Sequence, residues 1–299
     1  MIASGWKTAV KWAWVLLVAT FAGYYAVTRH ELIQESLARL GWLPILGAAL
    51  GIILAKLALV ENMRLAARRT GERLPLSTCF CIYNLTQLAK YVPGSVWQFV
   101  SRIAILRGRG WSVSSIRDSI LAEHAWVLAT ALVVGSLFVA LSDSAWLMRE
   151  FGTAVPSFVW VLSGLAGLAV LVGARSSAGR RLLAWAWSLR PGGRAIGVLF
   201  AAWVFLGTAF WFTLVPFSAG PVPWAYFVGV YCLAYLVGFL VPFAPAGLGA
   251  REAVLVAGAG PLVGVELAIF LAAVNRILYV LMELGLAAPC LGRGRSLVT

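Results

Sequence analysis

The sequence predicts an all-α polytopic membrane protein: about seven transmembrane helices and two re-entrant segments broken by Pro and Gly. Three observations predict it. Of 299 residues, 62% are hydrophobic and only 12% are charged, whereas a soluble domain is about half apolar and a quarter charged. Uncharged runs recur along the whole chain. The basic residues gather on alternate connections between those runs.

The first run, Trp12 to Thr28, follows Lys7 and Lys11 and ends in "GYYAVTRHE". That ending has no small-residue cleavage site, so an uncleaved first span is expected rather than a secretory signal. Leu40 to Ala55 is the second span, with Lys56 snorkelling from its end. Ala125 to Ser142 is the third; Glu123 and His124, which open it, read as interfacial residues. Phe151 to Ala174 is the fourth. Ala195 to Ala250 carries no charge, and Pro216, Pro221 and Pro223 divide it into Ala195 to Val215 and Trp224 to Val241. Leu267 to Leu291 is the last. Each is near the roughly 20 apolar residues a spanning helix needs. The expectation is one integral membrane domain over residues 1–299, without a soluble domain and with a possible internal two-fold repeat.

A net charge of +13 suggests nucleic acid until its distribution is read. With the N-terminus inside, the cytoplasmic segments hold Lys7, Lys11, Arg64, Arg68, Arg69, Arg73, Arg102, Arg107, Arg109, Arg117, Arg175, Arg180, Arg181, Arg190 and Arg194. The outer segments hold Arg29, Arg39 and Arg149. Such a bias orients a protein in the cytoplasmic (inner, plasma) membrane with its N-terminus in the cytoplasm. It makes nucleic acid an unneeded partner.

Both flanks of residues 74–101 are basic, so this stretch is expected to enter and leave on the cytoplasmic side. Pro93 and Gly94 in "KYVPGSVWQFVSR" would form its re-entrant tip. Non-helical backbone at membrane depth needs protein or a wet cavity beside it. Asn84, Gln87 and Tyr91 at helical spacing before the break, and Trp97, Gln98 and Arg102 after it, would line that cavity, with Lys90 next to the break. "VPFAPAGLGAREA", from Val241, repeats the grammar: Pro245, Gly247 and Gly249 form a second tip, and Arg251 and Glu252 head the following helix. Two interrupted segments in corresponding positions of two halves point to a transport site. If the stretch from Ala253 to Val265 belongs to this second re-entrant segment, Arg293 and Arg295 fall outside, against the charge rule.

Arg276 stands mid-way along the last helix, where a charge costs at least ~2.5–3.5 kcal/mol. Asn275 is its neighbour, and Glu283 shares its face. Arg276 therefore reads either as a structural ion pair with Glu283 or as an anion ligand in a cavity. Lys90, Arg102, Arg251 and Arg276 are the candidate phosphate ligands.

Catalysis is not expected. The two histidines, His30 and His124, and the two aspartates, Asp118 and Asp143, are isolated, which gives no cluster for a metal and no base for a nucleophile. Cys79, Cys81, Cys232 and Cys290 lie in apolar stretches and read as small buried residues. No metal or cofactor is expected, and no nucleotide-binding motif is present.

"LAKYVPGSVWQFVSR" followed by "RGRGWS", together with "PFAPAGLGAREAVL" and the later "NR", resembles the lysylphosphatidylglycerol synthase transmembrane family, a flippase-like membrane domain. The resemblance spans essentially the whole chain, but its specific content is those two motifs. In fused members of the family this domain is thought to move a lipid made by an attached soluble domain; others accompany glycosyltransferases acting on polyprenyl-linked sugars. The resemblance implies a translocase for an anionic phospholipid or a polyprenyl-phosphate-linked lipid. The alternative is an accessory subunit that presents lipid to a partner synthase or glycosyltransferase.

Overall fold

In the computed structural model, residues 5–91, 96–142, 175–218, 220–241 and 244–293 are described, together with Gly164. Among the described residues every regular element is helical. The first group is α1 (Gly5–Thr28), α2 (His30–Leu40), α3 (Trp42–Arg69), α4 (Leu76–Leu88), α5 (Trp97–Gly108) and α6 (Val113–Ala140). The second is α7 (Ser177–Ser188), α8 (Gly193–Leu214), α9 (Trp224–Leu240), α10 (Ala250–Val263) and α11 (Val265–Ala287). Short 3-10 turns follow α4 at Ala89–Tyr91, precede α10 at Pro245–Gly247 and follow α11 at Ala288–Arg293.

Five of the described stretches are long and apolar enough to cross a membrane: Trp42–Arg69, Val113–Ala140, Gly193–Phe217, Pro245–Val263 and Val265–Gly292. The chain is thus a multi-pass helical membrane protein, although five is fewer than the seven spans expected. Trp12–Thr28 and Trp224–Leu240 are apolar but shorter. The expected span from Phe151 to Ala174 lies outside the described residues. At about 1.5 Å per residue, the 17 residues of α9 extend roughly 25 Å, short of the ~30 Å hydrocarbon core. Leu16, Leu17, Leu46, Leu50, Val133 and Ile277 are exposed, which suits a lipid-facing surface.

The order long, short, short, long occurs twice, as α3 to α6 and again as α8 to α11. α3 and α8 run antiparallel. Arg39 Nε donates to the carbonyl of Pro216 (3.1 Å) at one end, and Arg194 pairs with Glu61 (2.9 Å) at the other. α6 and α9 are antiparallel too, Phe138 meeting Trp224 and His124 meeting Phe239. The α4/α5 hairpin therefore starts at the end where α3 finishes, and the α9/α10 hairpin starts at the opposite end. Their turns, Ala89–Tyr91 and Pro245–Gly247, touch.

Small residues allow this packing, as in other membrane bundles. A Cβ on Gly207 would sit 2.4 Å from Val228 Cα, between α8 and α9. Gly247 has φ +70°, and a Cβ there would meet Gly238 Cα at 2.8 Å, so glycine lets the second hairpin close on itself. α6 is capped by Ser112, whose side chain accepts from Ser115 N (3.0 Å). At α10, Glu252 Oε2 accepts from Gly249 N (2.7 Å), which anchors the start of the helix.

α11 begins where α1 ends, with Arg29 and Glu266 paired at 2.5 Å. It finishes beside α4, where Cys290 is disulfide-bonded to Cys81 across 209 residues of sequence. That bond corrects the reading of all four cysteines as merely small buried residues; Cys79 and Cys232 are the free, buried ones. Spacing along the chain holds no trace of a partner brought in by the last helix. As the first arm of a hairpin, α9 is answered by α10, so α11 ends at the bundle end that carries Arg68 and Arg69 rather than at the opposite one.

Candidate functional site

Asn275, Tyr279 and Glu283 recur every four residues on α11, and all three are buried. Such a stripe faces one direction, and here it faces the meeting point of the two hairpin tips. Glu283 Oε1 accepts from Lys56 Nζ (2.5 Å) on α3 and from Lys90 Nζ (2.6 Å) at the first tip. Its Oε2 accepts from the Tyr91 hydroxyl (2.6 Å). One carboxylate thus gathers two ammonium groups and a phenol.

Tyr279 is the second hub. Lys56 Nζ lies 5.3 Å, Lys90 Nζ 5.2 Å and the Arg251 guanidinium 4.9 Å from its ring centroid. These are cation–π distances. Arg251, 5% exposed, also stacks on Tyr231 at 4.5 Å and donates to that residue's hydroxyl. Among the described residues, no carboxylate lies within ion-pair distance of Arg251. Arg276 donates from Nη2 to the carbonyl of Ala246 (3.1 Å), stands 3.6 Å from Glu252 and lies 5.6 Å from the Tyr91 ring. It therefore ties both tips to α11, and its bond to Ala246 supports a residue held at φ +50°.

Of the two readings of Arg276, the ion pair with Glu283 does not form. The two share a face, but seven residues of helix separate them by about 10 Å, and each reaches its own partners. Lys56 is no snorkelling lysine either: it stands in the middle of the 28-residue α3 and is 1% exposed. The apolar run ends at Ala55, but the helix continues to Arg69, which leaves Lys56 about 20 Å from that end. A cation at that depth needs a partner, and Glu283 is it. Glu123 is likewise not interfacial. It is 3% exposed and accepts from Arg102 Nη1 (2.6 Å), while Arg102 Nε and Nη2 lie 3.3 and 3.2 Å from the Thr86 hydroxyl. His124 lies between Phe99, which it meets edge-on, and Phe239.

Of the expected site residues, the fold brings together Lys90, Tyr91, Arg251, Glu252, Arg276, Glu283 and the turn holding Pro245, Gly247 and Gly249. Gln87 Oε1 accepts from Lys90 Nζ (3.3 Å). Asn84 donates to the carbonyl of Phe80, and Gln98 is half-buried on α5. Asn275 is 1% exposed, and its Nδ2 finds no acceptor among the described residues. Trp97 is 47% exposed. Arg102 joins only through Tyr83, whose ring it shares with Lys56 at 5.5 and 5.1 Å, and its guanidinium is already occupied. Pro93 and Gly94 lie outside the described residues. Sequence reasoning missed Lys56, Tyr83, Tyr231, Tyr279 and Glu123 as members of one network. The signal for Lys56 and Glu123 was their place inside helices longer than the uncharged runs.

Lys90, Arg276 and Glu252 form the rim, with side chains 14%, 12% and 19% exposed, while Lys56 and Glu283 are at 1%. Chemically this is a buried cluster of charged donors held on aromatic faces, with Lys90, Arg276 and Glu252 on its partly exposed side. Among the described residues, no three His, Cys, Asp or Glu side chains are grouped as metal ligands. No protein-family model matches the chain, and no curated protein matches it.

Proposed function

We propose that this chain is a lipid translocase that moves an anionic phospholipid or a polyprenyl-phosphate-linked lipid between leaflets. The observation that carries the reading is the cluster of cations where the two hairpin tips meet. On this reading α4/α5 and α9/α10 are re-entrant, entering from the cytoplasmic and outer faces respectively, as two inverted halves of one carrier. The excess of basic residues around the α3/α4 and α5/α6 connections supports a cytoplasmic location for that end, and with it the N-terminus, on this reading.

A lipid head group crosses slowly unaided because its phosphate must leave water. Lys90 and Arg276 at the rim would take the phosphate first, replacing hydration with charge-assisted hydrogen bonds. Arg251 lies behind them, with its planar donors suited to two phosphate oxygens. Glu283 holds Lys90 in place until a phosphate competes for it. The tails stay in the hydrocarbon while the head group slides between the tips. Such a path equilibrates its lipid down a gradient.

The test is reconstitution. In proteoliposomes, a labelled anionic phospholipid or polyprenyl-phosphate analogue should become accessible to an impermeant reagent faster than in protein-free vesicles, and Lys90→Gln should slow this. A folded preparation that moves none of a broad panel, yet co-purifies stoichiometrically with a membrane enzyme that depends on it, would make the chain that enzyme's lipid-presenting subunit instead.

A further inference from the structure

The buried cluster does not balance its own charge. Five cations, Lys56, Lys90, Arg102, Arg251 and Arg276, face three carboxylates, Glu123, Glu252 and Glu283. The other described carboxylates are committed elsewhere. Glu61 pairs with Arg64 and Arg194, Glu266 with Arg29, and Asp118 with Arg117, while Glu31 and Glu35 are exposed and Glu72 is half-buried in the connection after α3. Two positive charges are left over at a depth where an uncompensated charge is costly. Arg251 is one of them, held against two tyrosine rings with no carboxylate in reach among the described residues. Beside Arg276, the Asn275 amide offers a buried donor without an acceptor among the described residues.

We infer that the site is matched to a head group bringing two negative charges on its phosphate, a lipid phosphomonoester, in preference to a phosphodiester phospholipid. This rests on the translocase reading and narrows it. A phosphodiester carries one charge, whereas a phosphomonoester carries about 1.5 to 2 near neutral pH because its second ionisation lies near pH 6. Only the second removes the whole excess. It also presents three terminal oxygens, enough for Lys90, the Arg251 fork and Asn275 together.

The experiment compares lipids that differ in the head group alone. Purified protein in neutral detergent at pH 8 is titrated with dioleoylphosphatidic acid, dioleoylphosphatidylglycerol and a polyprenyl monophosphate, with thermal stabilisation read as binding. Both phosphomonoesters should bind at least tenfold more tightly than phosphatidylglycerol. Their order relative to each other then shows which tail, acyl or prenyl, belongs to the natural ligand. Arg251→Gln should reduce the preference for phosphatidic acid over phosphatidylglycerol at least fivefold. Should that variant fail to fold, Lys90→Met at the partly exposed rim should reduce it likewise. Phosphatidylglycerol binding within twofold of phosphatidic acid would overturn the inference and leave the translocase reading standing, because one charge would then suffice. Absence of stabilisation by all three lipids would overturn both.

Discussion

Glu283 is the residue on which most of the buried charge depends, since Lys56 and Lys90 share its Oε1 at 2.5 and 2.6 Å. Removing one partner of a buried pair leaves the other charge uncompensated, at about 3–5 kcal/mol. Glu283→Gln strands two ammonium groups at once and should lower the melting temperature in detergent strongly. Lys56→Met should cost less, because Lys90 and the Tyr91 hydroxyl still satisfy the carboxylate. Equal losses in the two variants would mean that Glu283 is not the shared counter-ion. From the residues alone, Lys90, Arg251, Arg276 and Glu283 stood out as charges within apolar sequence. Their pairings did not: Arg276 and Glu283 share a face of α11, but depth decides contact, and they lie two turns apart.

At the scale of elements, α8 and α9 approach so closely that only glycine fits at position 207, where a Cβ would meet backbone. Gly207→Val should therefore destabilise by about 1–3 kcal/mol, the usual cost of overpacking, read as a lower melting temperature. An unchanged transition would show that the two helices separate easily. The link between α4 and the turn after α11 gives a second prediction. Under denaturing conditions without reductant, a maleimide should label two thiols per chain, Cys79 and Cys232; after reduction it should label all four cysteines. Four labelled thiols before reduction would remove the Cys81–Cys290 bond. Both of its cysteines are buried, which shields the bond from soluble reductants. The helix breaks at Pro245, Gly247 and Gly249 could be read from composition, because Pro and Gly act locally on the backbone. The packing of α9 against α10 could not, since it depends on contacts between residues apart in sequence.

For the whole molecule, the two hairpins and the return of α11 set a sidedness that single-cysteine labelling can test. In a cysteine-free background, cysteines at Arg68, Arg107 and Gly292 should react with an impermeant reagent from one side of the membrane, and a cysteine at Gly220 from the other. Labelling of Arg68→Cys and Arg107→Cys from opposite sides would turn the α4/α5 hairpin into a crossing. Labelling of Gly292→Cys together with Gly220→Cys would undo the course derived for α9 to α11.

The sequence by itself determined that this is a helical membrane protein, that a break precedes α10 at Pro245, Gly247 and Gly249, and that Lys90, Arg251 and Arg276 stand within apolar sequence. Hydropathy, charge and the restraints of Pro and Gly are properties of each residue and its near neighbours, so they survive in a linear reading. Only the tertiary structure decided that Glu283 gathers Lys56 and Lys90, that Arg102 is taken by Glu123 and Thr86, and that Cys81 finds Cys290. These partners come from helices distant in sequence, and the rotation and depth at which each helix packs determine which side chains meet.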